Sequence, residues 1–213
     1  MSVYAHGETA EIEHEISGRS LNWWGMIFFI ASEALIFANI IAGYLYLEIR
    51  QGSWVLPNGE HLDIVFPLIN TFILLSSSIP AHIAGLGIAK GNQRNLKLGL
   101  LGAIILGATF LGGQVFEYAT LGSMGFSPSC DACLPQLKVF GSSFFTLTGF
   151  HGLHVTVGIL FLTIVLLRSL RGDFTAKKHF GVQAAEMYWH FVDGVWVVVF
   201  SVVYLLPLIL PGK

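Results

Sequence analysis

Charge is the scarcest commodity in this sequence. Asp, Glu, Lys and Arg together make up 11% of its 213 residues, where a soluble domain carries roughly 25%. A soluble fold with so few polar side chains could not cover its own surface. Neither sign of charge dominates, since the formal net charge is -2, so no basic footprint points to nucleic acid and no acidic excess points to disorder. Cysteine is nearly absent, with 2 residues, which excludes a disulfide-stapled secreted domain. What is abundant is apolar: 54% of residues are hydrophobic and the mean hydropathy is +0.70. The main solvent of this chain is lipid.

About 20 mostly apolar residues cross the hydrocarbon as a helix. Five stretches meet that length, over residues 23–47, 64–89, 98–118, 139–167 and 184–210. They are continuous and far longer than the alternating segments of a membrane β-barrel. The expected fold class is therefore all-α, a polytopic five-helix membrane bundle. Residues 1–20 form a polar tail and residues 21–213 a single transmembrane domain. No fixed-period repeat supports an inverted-repeat transporter. The acidic start of the chain, with Glu8, Glu11, Glu13 and Glu15, is unlike a secretory signal.

Lys and Arg near the span ends vote on orientation. With the N-terminus inside, the inner segments hold Arg19, Lys90, Arg94, Lys97, Arg168, Arg171, Lys177 and Lys178, and the outer ones Arg50, Lys138 and Lys213. The expected topology puts the N-terminus in the cytoplasm and the C-terminus outside, in an inner (plasma) membrane.

Ionisable residues deep in a span are the informative ones, because each is costly unless neutral or paired. Glu33 lies roughly 15 Å into span one at 1.5 Å per residue. Its neighbours one turn away, Phe29, Ile30, Ile36 and Phe37, offer no hydrogen bond. Two readings stand: a protonatable, carbodiimide-reactive site, or an acid bonded to a neighbouring helix. His151 and His154 share one face of span four with Thr148, Gly158, Phe161, Val165 and Arg168, which closes the stripe at the inner end. Two such histidines could ligate metal or haem only with ligands from other helices. Helix-to-helix hydrogen bonding is the preferred reading, with Arg168, His151 and His154 expected at lipid headgroup or inner-face polar contacts.

Span five carries a polar seam of Gln183, Glu186, His190, Asp193, Ser201 and Tyr204, with Trp189 and Trp196 on another face. One-turn spacing lets Glu186 and Asp193 satisfy His190 locally, and the seam is expected to pack against protein. A proton relay is the alternative, but Val197 interrupts it. Span two holds Asn70, Thr71 and Ser76-Ser77-Ser78 before Pro80; the serines are expected to re-bond the carbonyl that Pro80 frees. Glu117, late in span three, is expected near an interface. Cys130 and Cys133 form C-x-x-C in the third loop, which we read as an outer-face disulfide. A redox pair would need a thioredoxin-like setting, and zinc two further ligands. No complete metal site is visible.

Several of these residues form a familiar series. It runs Ser32-Glu33, Asn70-Thr71 with Leu74-Leu75, Gln114-x-x-Glu117-Tyr118, Thr148-Gly149-Phe150-His151-Gly152-Leu153-His154-Val155, His179-Phe180-Gly181, and Tyr188-Trp189-His190-Phe191-Val192-Asp193. The series resembles subunit III of the haem–copper terminal oxidases, particularly cytochrome c oxidase, across all five spans. The resemblance implies a subunit of an oxidoreductase and proton-translocating complex with no catalytic centre of its own. Haem and copper would sit in partner subunits I and II. This chain would stabilise the large subunit, support its proton uptake and bind phospholipid. By the same resemblance Glu33 corresponds to the family's carbodiimide-reactive glutamate and Arg168 to a basic residue associated with lipid headgroups. The family's longer form has seven helices and the match begins at the third; two extra helices of the large subunit are expected to fill that place. A His pair of the mitochondrial form is replaced by Gly85 and Leu86, with His82 three residues early, and the second Val before the final Trp is Gly194. Other readings are the equivalent subunit of a quinol oxidase or nitric oxide reductase, a small haem-ligating cytochrome, and a small transporter.

Overall fold

In a computed structural model, residues 20–51, 64–123 and 135–209 are described, and Cys130, Cys133 and the tail up to residue 19 lie outside them. Five long helices account for most of what is described: α1 (Leu21–Gln51), α2 (Val65–Ala89), α3 (Gln93–Ser123), α4 (Pro135–Leu170) and α5 (Phe180–Phe200). The chain continues from α5 through a π-helical turn, Ser201–Leu205, into a last α-helical turn, Leu206–Ile209. All five are long and apolar enough to cross a membrane, and no strand occurs among the described residues.

The helices overrun the apolar spans at several ends. Hydropathy falls where a chain meets the headgroups, but the backbone still gains by staying hydrogen-bonded there, so helix ends and apolar ends differ. The connection expected over Lys90–Lys97 shrinks to three residues. Asn92 caps α3 by accepting the Arg94 and Asn95 amides, each at 3.1 Å. Gly91, at φ 73°, ends α2, with the Gly91 amide donating to Ile88 and that of Asn92 to Gly87. Gly172, at φ 83°, ends α4 in the same manner; its amide donates to Ser169 and that of Asp173 to Arg168.

Helices α2, α3, α4 and α5 close a ring in which each touches the next and α5 returns to α2. Helix α1 stands outside, seated against α4 and α5. Trp189, Trp196, Phe110, Phe144 and Leu74 are fully enclosed at the centre. The Trp189 indole fits between α3 and α4 because Gly107 and Gly158 carry no side chain there. A Cβ at Gly107 would lie 2.5 Å from the ring, and one at Gly158 2.9 Å.

The wide turn at Ser201–Leu205 has a local cause. Pro207 has no amide to give to the Val203 carbonyl and would crowd it. The Leu206 amide bonds the Ser201 carbonyl instead, one residue further back than in an α-helix.

Candidate functional site

The polar side chains of the spans meet one another across helix boundaries. Deepest is the contact between α1 and α4, where Glu33 Oε2 lies 2.9 Å from His154 Nε2. His154 Nδ1 donates to the Phe150 carbonyl at 2.9 Å, so both ring nitrogens are engaged. Phe37 packs edge-on against the same imidazole at 4.8 Å between centroids and also touches Phe150 and Phe191. Glu33 thus has the partner its own helix lacks.

His151, one turn away, has a different environment. It is wholly buried among Phe37, Phe110 and Trp196, whose rings lie 6.3, 6.0 and 4.7 Å away. Neither nitrogen has a hydrogen-bond partner among the described residues. This corrects the expectation of headgroup contacts for His151 and His154: one is sealed by rings, the other is occupied by Glu33 and Phe150. They also stand roughly 25 and 21 Å along the helix from Arg168 at 1.5 Å per residue. Arg168 itself donates from Nε to Asp173 Oδ2 at 3.0 Å and lies over the Phe174 ring at 5.3 Å. The glycine turn at Gly172 delivers both partners.

The seam of span five divides. Part of it packs against other helices, and the neighbouring stripe of Ala185, Trp189, Val192, Trp196 and Val199 is buried throughout. Trp189 donates to Ser77 Oγ and Trp196 to Thr71 Oγ1, both at 2.9 Å, which fastens α5 to α2. Asn70 fastens α2 to α3 by donating to the Phe110 carbonyl at 3.0 Å. Of the seam, Asp193 is buried and Glu186 half-buried, while Gln183 and His190 are exposed. Gln183 reaches only His179, at 3.2 Å, and Ser201 bonds its own helix at Val197.

Glu186 and His190 are joined instead by α2. His82 Nδ1 lies 2.8 Å and His190 Nε2 3.7 Å from Glu186 Oε1. Ser78 Oγ lies 2.9 Å from His190 Nδ1 and donates a short hydrogen bond to Asp193 Oδ2. The ligand atoms of His82, Glu186 and His190 all fall within 4.8 Å of one another. The sequence reading missed this grouping, although similar distances from the ends of α2 and α5 were a usable signal. It also misassigned the serines. Ser76 bonds the Ile73 carbonyl and Ser77 the Leu74 carbonyl, whereas Ser78 crosses to α5, so none re-bonds the carbonyl opposite Pro80.

At the other end of the bundle, Glu117 is buried against neighbouring helices. Tyr204 donates to its Oε1 at 2.8 Å and Gln114 to its Oε2 at 2.9 Å. Tyr118 reaches Thr148 at 2.6 Å; Thr148 gives its own proton to the Phe144 carbonyl, so Tyr118 is the donor. A cavity of about 530 Å³ separates α1 from α4 nearby, lined by residues including Ile40, Tyr44, Leu47, Val139, Ser142 and Thr146.

These features define a multi-pass helical membrane protein whose ionisable groups are placed to join helices. The sequence model of the cytochrome c oxidase subunit III family matches residues 5–207. A cytochrome c oxidase subunit 3 of Thermostichus vulcanus is 38% identical over 96% of this chain and 97% of its own length. One from a Synechocystis strain is 37% identical over 96% of this chain and 83% of its own. The subunit 3 of Rattus norvegicus is 38% identical over 85% of this chain and 68% of its own. The chain belongs to the cytochrome c oxidase subunit III family.

Proposed function

We propose that this protein is the accessory subunit of a cytochrome c oxidase, the membrane complex that reduces oxygen to water and pumps protons. It is a multi-pass protein of the inner (plasma) membrane, oriented with the basic end at Lys90 and Arg168 toward the cytoplasm. It has no catalytic centre of its own and acts by stabilising the large haem- and copper-bearing subunit I, beside subunit II, and sustaining proton uptake. The observation that carries this reading is the Glu33–His154 contact. It spends His154, one of the two mid-depth histidines that could ligate haem, on joining helices.

Haem does not fit His151 or His154, the two mid-depth histidines among the described residues. An axial ligand needs a free ring nitrogen facing open space, but His151 is closed in by three rings and both nitrogens of His154 are used. In this reading haem and copper belong to the partner subunits.

Phospholipid binding is part of the same proposal, at two separate places. Arg168 presents a cation at the cytoplasmic end, half-exposed beside Asp173. The cavity between α1 and α4 lies at the opposite end, so an acyl chain there belongs to the other leaflet.

Deletion of the subunit from the purified oxidase tests the reading. The haem and copper spectra should persist while proton uptake slows or the working life of the enzyme shortens. Loss of a haem or copper signal on deletion would overturn it.

A further inference from the structure

We propose that His82, Glu186 and His190 form a binding site for one divalent cation of the zinc class, between α2 and α5 near the cytoplasmic end. Two imidazoles and a carboxylate are a zinc-type donor set, whereas magnesium and calcium favour oxygen alone. The three donor atoms already converge within 4.8 Å. Zinc bonds of about 2.0–2.1 Å place tetrahedral ligands roughly 3.3 Å apart, so small rotations of the three side chains complete the site. The exposed side of His82 leaves the fourth position open.

Proton placement leaves room for a cation between Glu186 and His190. Ser78 spends its only hydrogen on Asp193, so it accepts one from His190 Nδ1. In the neutral ring this leaves the lone pair of Nε2 aimed toward Glu186 Oε1 at 3.7 Å, too far for a hydrogen bond and suited to a shared cation. The chain Asp193–Ser78–His190 is the kind of outer support that fixes the ring and tautomer of a metal-bound histidine.

Room for the carboxylate comes from Gly85. A Cβ there would lie 2.0 Å from Glu186 Oε2, so any larger residue would push Glu186 out of the groove. The site is also reachable. Glu186 is roughly 9 Å and His82 roughly 10 Å from their helix ends at 1.5 Å per residue.

The test uses the assembled oxidase in mild detergent, stripped with a chelator and titrated with Zn²⁺ alone. Metal content and competition with a chromophoric chelator are the readouts. The wild type should hold one zinc more per complex than His82→Gln or Glu186→Gln. Ser78→Ala should weaken that zinc 10- to 100-fold, the usual effect of losing outer support, and Gly85→Ala should weaken it at least tenfold. The X-ray absorption difference between wild type and His82→Gln should show nitrogen and oxygen neighbours at about 2.0–2.1 Å. Equal zinc content and affinity in wild type, His82→Gln and Glu186→Gln would overturn the proposal. So would a zinc difference that Ser78→Ala and Gly85→Ala leave untouched.

Discussion

His154 and Glu33 hold one proton between them. The Phe150 carbonyl occupies the Nδ1 hydrogen of His154, so the 2.9 Å contact from Nε2 to Glu33 Oε2 needs a hydrogen on one atom or the other. Whichever carries it, the pair is neutral overall. That is how a carboxyl group and an imidazole can share the middle of a bilayer, where an isolated charge is costly. Glu33→Gln should keep the contact, because its amide can donate to Nε2. Glu33→Ala should cost about 1–3 kcal/mol by leaving His154 Nε2 without Glu33. Thermal inactivation of the oxidase should separate the two variants, and equal losses would refute the pairing. Carbodiimide should label Glu33 in the wild type and not in Glu33→Gln, as read by peptide mass spectrometry.

The indole bolts between α5 and α2 give a second prediction. Thr71→Val should leave the Trp196 N–H buried without an acceptor, at a cost of about 1–3 kcal/mol. In Trp196→Phe that N–H is gone, so adding Thr71→Val to it should cost far less. A double-mutant cycle on thermal stability reads the difference. Simple additivity would show that the 2.9 Å bond contributes nothing.

Trp189 sits where two glycines make space for it. Gly107→Ala and Gly158→Ala should each destabilise by about 1–3 kcal/mol, the usual cost of overpacking, despite alanine's better helix propensity. Trp189→Phe should relieve part of the Gly107→Ala defect. Unchanged melting in both alanine variants would contradict the packing described.

Glu117 depends on the π-helical turn. Tyr204→Phe should remove one of its donors and cost about 1.5–3 kcal/mol for a charged carboxylate. Pro207→Ala should restore an amide opposite Val203 and favour α-helical continuation, which rotates Tyr204 away from Glu117. The infrared carboxyl signal of Glu117, identified with Glu117→Gln, should shift in both variants. A signal unchanged in Tyr204→Phe would exclude the 2.8 Å bond.

Arg168 is bonded but exposed. Arg168→Ala should change stability by less than about 1 kcal/mol, as for other exposed ion pairs. If the headgroup reading holds, the same variant should lose co-purifying anionic phospholipid by native mass spectrometry. Retention of the full lipid complement would remove Arg168 from the lipid site.

The five crossings were legible because hydrophobic length is a one-dimensional signal. Glu33 also stood out, since a carboxyl deep in a span is costly wherever it points. Its partner did not, because His154 is 121 residues away and only the seating of α1 against α4 brings them together. Seam and stripe on α5 were both visible as faces, but helical spacing alone cannot say that both meet α2 and that the stripe lies deeper. The Trp stripe took the centre because indoles bury far more apolar area than the seam's polar side chains. Ser78 was misread for a related reason: nothing local distinguishes a serine that bonds its own helix from one that crosses to the next.

The seating of α1 outside the ring also has a temporal side. It is made first, whereas α4 and α5, against which it rests, are made last. At about 5–20 residues per second, the 121 residues between Glu33 and His154 take on the order of ten seconds to synthesise. Throughout that interval Glu33 must wait in the bilayer without its histidine. Biogenesis therefore has a vulnerable window, in which an uncoupled first helix can be lost to premature extraction or degradation.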